Sequence, residues 1–190
     1  MRWWFAIKNA ISLRKKLKQF LIDPAKQIHD LSEITLDKLD EADVAILVLD
    51  FDGVLAPHNA AIPSKEAELW LIKLSQTIGE HRIALFSNKP KPERIAYFAK
   101  KFPSIFFLQG AKKKPYPDGL EMIAQYRGVP VHRLLLVDDR LLTGMLATCL
   151  AYTQGWYFRP PKTNFWCNPI VESFFSLLRV FERCLIRVIG

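Results

Sequence analysis

The sequence predicts an α/β fold, a Rossmann-like parallel sheet of about five strands with helices on both faces and no cap domain. Short apolar runs alternate with amphipathic segments from residue 45 to residue 158. The apolar runs lack the polar alternation of solvent-facing strands, which indicates strands buried on both faces. The chain has 190 residues, half of them hydrophobic, which suits one domain with a sizeable core and terminal extensions.

The elements follow in chain order. Residues 1–22 place apolar side chains at helical spacing, and Asp23-Pro24 ends this helix because proline disfavours helical geometry in the residue before it. A short mixed stretch follows. The predicted strands are residues 45–51, 82–87, 105–108, 133–137 and 152–158. The predicted helices are residues 64–78, with Ser64 as the cap, 91–101, 118–127 and a short one from Leu141.

Residues 169–190 form a second amphipathic terminal helix. Its polar stripe is narrow and consists of Glu172, Ser176, Arg179, Arg183 and Arg187. The remaining face is wide and apolar, so something has to cover it. We favour packing on the sheet, and partial insertion into a membrane interface or contact with the N-terminal helix remain open. The predicted units are thus residues 1–22, 23–168 and 169–190.

Most of the net charge of +8 lies at the N-terminus. Residues 1–22 contain six cations and no acid: Arg2, Lys8, Arg14, Lys15, Lys16 and Lys18. A basic excess confined to an amphipathic end favours an anionic membrane surface over nucleic acid, which we do not expect as a partner. We therefore expect a peripheral membrane protein on the cytoplasmic face, with the matrix-side membrane of an organelle as the alternative. A packed helix with a solvated basic face remains open.

The cysteines do not indicate a disulfide framework or a zinc site. Cys149, Cys167 and Cys184 are odd in number and contain no CxxC pair. We expect reduced thiols in core positions.

Polar side chains mark four segments of the chain. The first strand ends in Asp50-Phe51-Asp52-Gly53 and the second in Ser87-Asn88. Lys114 precedes Pro115 and a helix, and another buried run ends in Asp138-Asp139. Ligands bind at the carboxyl edge of open parallel sheets, so we expect these side chains to converge there. Each segment alone is as well explained by a turn, a helix cap or a solvated charge run.

Together the four segments meet the needs of phosphoryl transfer. A phosphate monoester is a dianion, so a carboxylate attacks it only when a divalent metal and a cationic side chain offset the repulsion. Oxygen ligands without histidine or thiolate favour Mg²⁺. We assign Asp50 as nucleophile and Asp52 as acid and base. The remaining predicted roles are phosphate binding by Ser87, Asn88 and Lys114, and metal binding by Asp50, Asp52, Asp138 and Asp139.

The four segments match, in order, the four motifs of the haloacid dehalogenase-type phosphatases, which the chain resembles. Within that superfamily it is similar to the subfamily IIIA phosphatidylglycerophosphate phosphatases from about Leu21 to Arg187. The usual Asn-Thr after the second acid is Gly53-Val54 here, and the acid five positions after the metal-binding aspartate is Gly144. Asp138 stands where relatives often have glycine, so its carboxylate is the candidate replacement.

The spacing of the motifs predicts an open site. Only 34 residues separate Asp52 from Ser87, and 26 separate Ser87 from Lys114, which one helix and one strand consume in each case. An open site suits a phosphate on something large. The leading hypothesis is magnesium-dependent hydrolysis of phosphatidylglycerophosphate at a membrane, through the aspartyl-phosphate that the resemblance implies.

Two other functions remain open. One is a capless phosphatase that acts on phosphoproteins or on soluble sugar or nucleotide phosphates. The other is a catalytically weak protein that docks on membrane or nucleic acid. Four cations that follow the motif strands are expected to be solvated at the surface, or else to bind a second phosphate: Lys89, Lys91, Arg94 and Arg140.

Overall fold

The computed structural model describes residues 2–160 and 169–190. Six parallel strands form one sheet in the order β1-β6-β5-β2-β3-β4. They are β1 (Gln27–Ile28), β2 (Ile46–Leu49), β3 (Ile83–Leu85), β4 (Phe106–Phe107), β5 (Leu134–Asp138) and β6 (Gln154–Phe158). The predicted α/β class is confirmed, with one strand more than expected.

Eight α-helices surround the sheet in the described part of the chain. They are α1 (Arg2–Ser12), α2 (Arg14–Ile22), α3 (Leu36–Glu41), α4 (Lys65–Ile78), α5 (Pro92–Lys101), α6 (Asp118–Arg127), α7 (Leu146–Ala151) and α8 (Pro169–Ile189). Ser64 caps α4 by accepting a hydrogen bond from the Ala67 N–H, as predicted. A π-helical turn over Leu141–Met145 leads into α7.

The central strands separate two apolar layers. Leu47 and Leu49 of β2 face a core shared with α4 and α5. Ile46 and Val48 face the opposite core, which α6 and α7 complete. Helices therefore cover both faces, and this explains why the strands are uniformly apolar.

The unpredicted strand is β1, which pairs with the sheet edge at β6 through Gln27 and Tyr157. Two residues are too few to show a periodic pattern, so no sequence pattern predicts this strand. The predicted N-terminal helix is divided into α1 and α2 at Leu13, whose φ of −100° and ψ of 15° leave the helical region. Neither gap between the first three motifs holds an inserted domain, and both gaps lie wholly in the described chain.

The terminal helices pack together beside the π-helical turn. Leu17 and Phe20 of α2 and Ile186 of α8 lie in one buried cluster with Leu141 and Met145. The expected packing of the apolar face of α8 on the sheet is wrong. The helix instead buries Glu172, Arg179 and Glu182 and exposes six large apolar side chains, Ile170, Phe174, Leu177, Val180, Phe181 and Val188. Within residues 2–160 and 169–190, no helix has the length and apolar character needed to cross a membrane.

Candidate active site

The sheet register brings three of the predicted segments to one edge. Leu49 of β2 lies opposite Val137 of β5 on one side and Leu85 of β3 on the other. The Asp50 N–H extends the ladder by donating to the Val137 carbonyl at 3.0 Å. The chain therefore leaves all three strands at the same level, directly before the aspartates and the serine.

Lys114 bridges two of the carboxylates. Its Nζ lies 3.0 Å from Asp50 Oδ1 and 2.5 Å from Asp138 Oδ2, and the side chain is only 1% exposed. Burial alone would lower the pKa of Lys114, but the charges of Asp138 and Asp50 outweigh it and raise that pKa. The lysine is therefore a fixed cation at the centre of the site.

The two bridged acids have raised pKa values. Burial is the largest cause at Asp50, and the charges of Asp138, Asp52 and Asp139 add to it, so its pKa lies well above the usual range despite Lys114. Burial also raises the pKa of Asp138, again against the effect of Lys114. One lysine does not offset this many acids.

Asp50, Asp138 and Asp139 form a candidate cation site. Each offers a carboxylate oxygen, and the three oxygens lie within 4.8 Å of one another. Asp139 Oδ1 is buried and has no hydrogen-bond partner among the described residues. An orphaned buried oxygen in an all-oxygen cluster of acids fits a hard divalent cation such as Mg²⁺.

Asp52 lies outside this cluster because Arg94 holds it. Arg94 Nη2 binds Asp52 Oδ1 at 2.7 Å and Nη1 binds Oδ2 at 2.8 Å. Burial acts to raise the pKa of Asp52, but the hydrogen bonds and charge of Arg94 overcome it and lower that pKa. A metal contact from the Asp52 side chain would require this ion pair to open.

Arg94 itself is fully buried on α5, and the expectation of a solvated surface cation is wrong for it. Its guanidinium stacks over Phe51 at 4.0 Å, and its Nε donates to the Ala60 carbonyl at 2.9 Å. Arg94 thus connects α5 to Asp52 and Phe51 of the first motif and to the backbone that follows the motif.

Ser87 and Asn88 follow β3 at the same edge. Ser87 Oγ accepts from the Lys89 N–H at 3.1 Å and from Arg94 Nη1 at 3.3 Å. Asn88 uses its amide on the Lys114 backbone: its Oδ1 accepts from the Lys114 N–H at 2.7 Å and its Nδ2 donates to the Lys114 carbonyl at 3.3 Å. Asn88 therefore fixes the position of Lys114, whereas a phosphate contact was predicted for its side chain.

Two glycines make room for the acids. Gly53 has a φ of +83°, and a Cβ there would lie 2.3 Å from Asp139 Oδ2. A Cβ on Gly144 would lie 2.1 Å from Asp138 Cγ. The Asp138 carboxyl group thus fills the space beside position 144, where the resemblance placed the missing acid.

Helix α8 reaches the site with its polar stripe. Arg179 Nη1 lies 2.5 Å from Asp139 Oδ2, and Glu172 accepts from the His58 N–H at 2.6 Å. Glu182 binds Arg140, another predicted surface cation that is in fact buried. Glu172, Arg179 and Glu182 share one side of the helix, a signal present in the sequence, but Glu182 lies outside the predicted polar stripe and the stripe carried no predicted site residue.

The cysteine predictions are met in part. Cys149 is half-buried and free, and burial raises its pKa to about 11. Cys184 is free and exposed on α8, which differs from the expected core position. Cys167 lies outside the described residues.

A capless parallel sheet with paired aspartates, a serine and a buried lysine at its carboxyl edge has the arrangement expected of a haloacid dehalogenase-type phosphatase. The sequence model of the mitochondrial PGP phosphatase family matches residues 6–159, and the chain belongs to that family. It is therefore a phosphatase, a phosphoric monoester hydrolase of phospholipid metabolism.

A solved structure is similar in fold. It is the crystal structure of an uncharacterized protein from Corynebacterium glutamicum, with a TM-score of 0.50 and 19% identity. The match covers 72% of this chain and 95% of that one, and at this identity it supports the fold alone. Comparison with curated proteins finds no match.

Proposed function

We propose that the protein hydrolyses the terminal monoester of phosphatidylglycerophosphate to give phosphatidylglycerol, with Mg²⁺ and through an aspartyl-phosphate on Asp50. The observation that carries this proposal is the convergence of Asp50, Asp138 and Asp139 on one cluster with Lys114 between them. The description of the family indicates the substrate, and the cluster of acids around Lys114 indicates the chemistry.

Asp50 is the nucleophile in this proposal. Its carboxylate attacks the phosphorus, the bond to the glycerol oxygen breaks, and the phosphoryl group is transferred to Asp50. Lys114 offsets the negative charge of the phosphoryl oxygens, and the Ser87 hydroxyl binds one of these oxygens. A divalent cation bound by Asp50, Asp138 and Asp139 would neutralise further charge and counter the raised pKa of Asp50.

Asp52 transfers the proton in both halves of the reaction. It protonates the leaving oxygen first, and it then accepts a proton from the water that cleaves the aspartyl-phosphate. The pair with Arg94 favours the ionised form, which is the form needed in the second half. The first half needs a protonated Asp52, so the pair must loosen when substrate enters.

The open edge accommodates a headgroup that remains attached to a bilayer. A pocket of about 540 Å³ opens beside Gly53, Trp70 and Arg179, next to the cluster. We assign the protein to a membrane surface as a peripheral protein. The mitochondrial description of the family favours the organelle alternative over the cytoplasmic face. The N-terminal cations serve as contacts for anionic lipid.

The test is phosphate release from phosphatidylglycerophosphate in detergent micelles by the purified protein. We expect turnover that stops on chelation and returns with Mg²⁺. Asp50→Asn should reduce turnover by at least about a thousandfold. Asp37→Asn, which changes an exposed acid on α3, is the matched control and should leave turnover unchanged.

A labelled terminal phosphate gives a second readout. Rapid acid quenching should leave label on the wild-type protein and none on Asp50→Asn. Full turnover by Asp50→Asn would contradict the nucleophile assignment. Faster release from sugar phosphates, nucleotides or phosphopeptides than from the lipid would contradict the substrate.

A further inference from the structure

Helix α8 exposes a continuous apolar stripe. Phe174, Leu177 and Phe181 are 59%, 69% and 57% exposed. Exposed apolar residues recur along α8 at alternating intervals of four and three, a spacing that keeps their side chains on one side of a helix. We call the α8 stripe the set Ile170, Phe174, Leu177, Phe181, Cys184 and Val188. It runs along almost the whole helix, and no described residue covers it.

The opposite face of α8 is held in place, so the helix cannot turn to bury the stripe. Glu172 is bound to His58, Arg179 to Asp139 and Glu182 to Arg140. Rotation would leave these groups buried without partners, which costs far more than exposed apolar surface. The exposed stripe is therefore a fixed property of the fold.

The positions that flank the stripe argue against a second copy of α8 as its partner. They are Val171, Leu178 and Leu185 on one side and Ser173, Val180 and Arg187 on the other. Paired helices that share such a stripe rely on opposite charges at the flanking positions. One arginine among six positions offers no such pairing.

The charges around the stripe favour an anionic bilayer. Both acids of α8, Glu172 and Glu182, are buried on the opposite face, and residues 2–22 contain no acid. The outer surfaces of α1, α2 and α8 thus expose cations and apolar groups and no acid. Trp3 and Trp4 are exposed on α1. Tryptophan, cations and an apolar helix face together are typical of binding to the headgroup layer.

We propose that the α8 stripe docks in the headgroup layer of an anionic bilayer. Its partner is the lipid surface, and the inference rests on the proposed function because it explains how a lipid substrate reaches the site. Arg179, on the other face of the same helix, contacts Asp139. Docking therefore brings the headgroups to about one helix diameter, ~10 Å, from the cluster.

The first test is co-sedimentation with vesicles of phosphatidylcholine and phosphatidylglycerol. Leu177→Glu should weaken binding to vesicles at least about tenfold, since it places a charge where the docked protein would bury an apolar side chain in the bilayer. Leu69→Glu is the matched control, because Leu69 is 60% exposed on α4 and lies outside the stripe. It should bind like the wild type. Equal binding by all three proteins would overturn the proposal.

The second test uses the unaltered protein. Cys184 lies in the α8 stripe and is exposed, so anionic vesicles should slow its reaction with a water-soluble maleimide at least about tenfold. Pure phosphatidylcholine vesicles should give much less protection. Full reactivity in the presence of sedimenting anionic vesicles would overturn the proposal even if Leu177→Glu fails to fold.

Activity on a small chromogenic phosphate separates this inference from the proposed function. Leu177→Glu should keep that activity and lose turnover on vesicle-bound substrate. An inactive wild type that still docks would overturn the function and leave the docking surface intact. Wild-type self-association that disappears in Leu177→Glu, with no vesicle binding by either protein, would identify a second copy as the partner and overturn the lipid assignment.

Discussion

Asp138 and Gly144 occupy one small volume, so only one of the two positions can carry a carboxylate. A Cβ at residue 144 would lie 2.1 Å from Asp138 Cγ. Exchanging the two residues moves the carboxylate to the other side of the same space. We expect each single change to be damaging and the exchange, Asp138→Gly with Gly144→Asp, to restore much of what each one loses.

The contacts give the size of each effect. Asp138→Gly removes the 2.5 Å ion pair to the buried Lys114, and breaking a buried pair costs about 3–5 kcal/mol. The variant also removes the burial of the Asp138 carboxylate and its repulsion by Asp139, which together raise the pKa of Asp138, so we expect a smaller loss of about 2–3 kcal/mol. Gly144→Asp overpacks a buried turn, at about 1–3 kcal/mol. A coupling of about 2 kcal/mol in the exchanged protein is the expected signature.

The assay is the free energy of unfolding in urea for the wild type, both single variants and the exchanged protein, with phosphate release measured in parallel. Gly144→Ala adds a methyl group without adding a charge, so it tests the steric overlap with Asp138 alone. It should destabilise the wild type and be tolerated once Asp138 is glycine. Additive losses in the exchanged protein, with no recovery of stability or turnover, would refute the shared-space argument.

Two further predictions concern Arg94 and the cysteines. Arg94→Met should lower the free energy of unfolding at pH 7 by about 3 kcal/mol, since it leaves Asp52 half-buried without its cation. Because Arg94 lowers the pKa of Asp52, its stabilising effect is present above the ordinary value of 3.8 and is lost as the pH falls through the lowered value. The difference from the wild type in urea unfolding should therefore shrink in acid, and a constant difference would contradict the ion-pair explanation. In peptide mass spectra, iodoacetamide should modify the exposed Cys184 before Cys149, whose pKa is about 11.

The sequence predicts those site residues that directly follow the predicted strands. Asp50, Ser87 and Asp138 directly follow apolar runs, and parallel pairing at Leu49 brings such ends to one level. Lys114 needed the resemblance as well, because its position before Pro115 is the one local feature that distinguishes it within a run of three lysines.

The part that was missed depends on partners distant in the chain. Arg94 lies 42 residues from Asp52, and on an amphipathic helix a buried arginine has the same local pattern as a solvated one. Arg179 and Glu182 lie 40 and 42 residues from Asp139 and Arg140. Helical periodicity separates the two faces of α8, but it does not say which face meets the protein.

Because the active-site residues depend on contacts with α8, mutations near the 3′ end of the gene have a predictable consequence. A frameshift or stop codon upstream of Pro169 would remove Glu172, Arg179 and Glu182 together. His58, Asp139 and Arg140 would then lose their side-chain partners in a single event. Such an allele should behave as a null allele even though the four motifs remain intact.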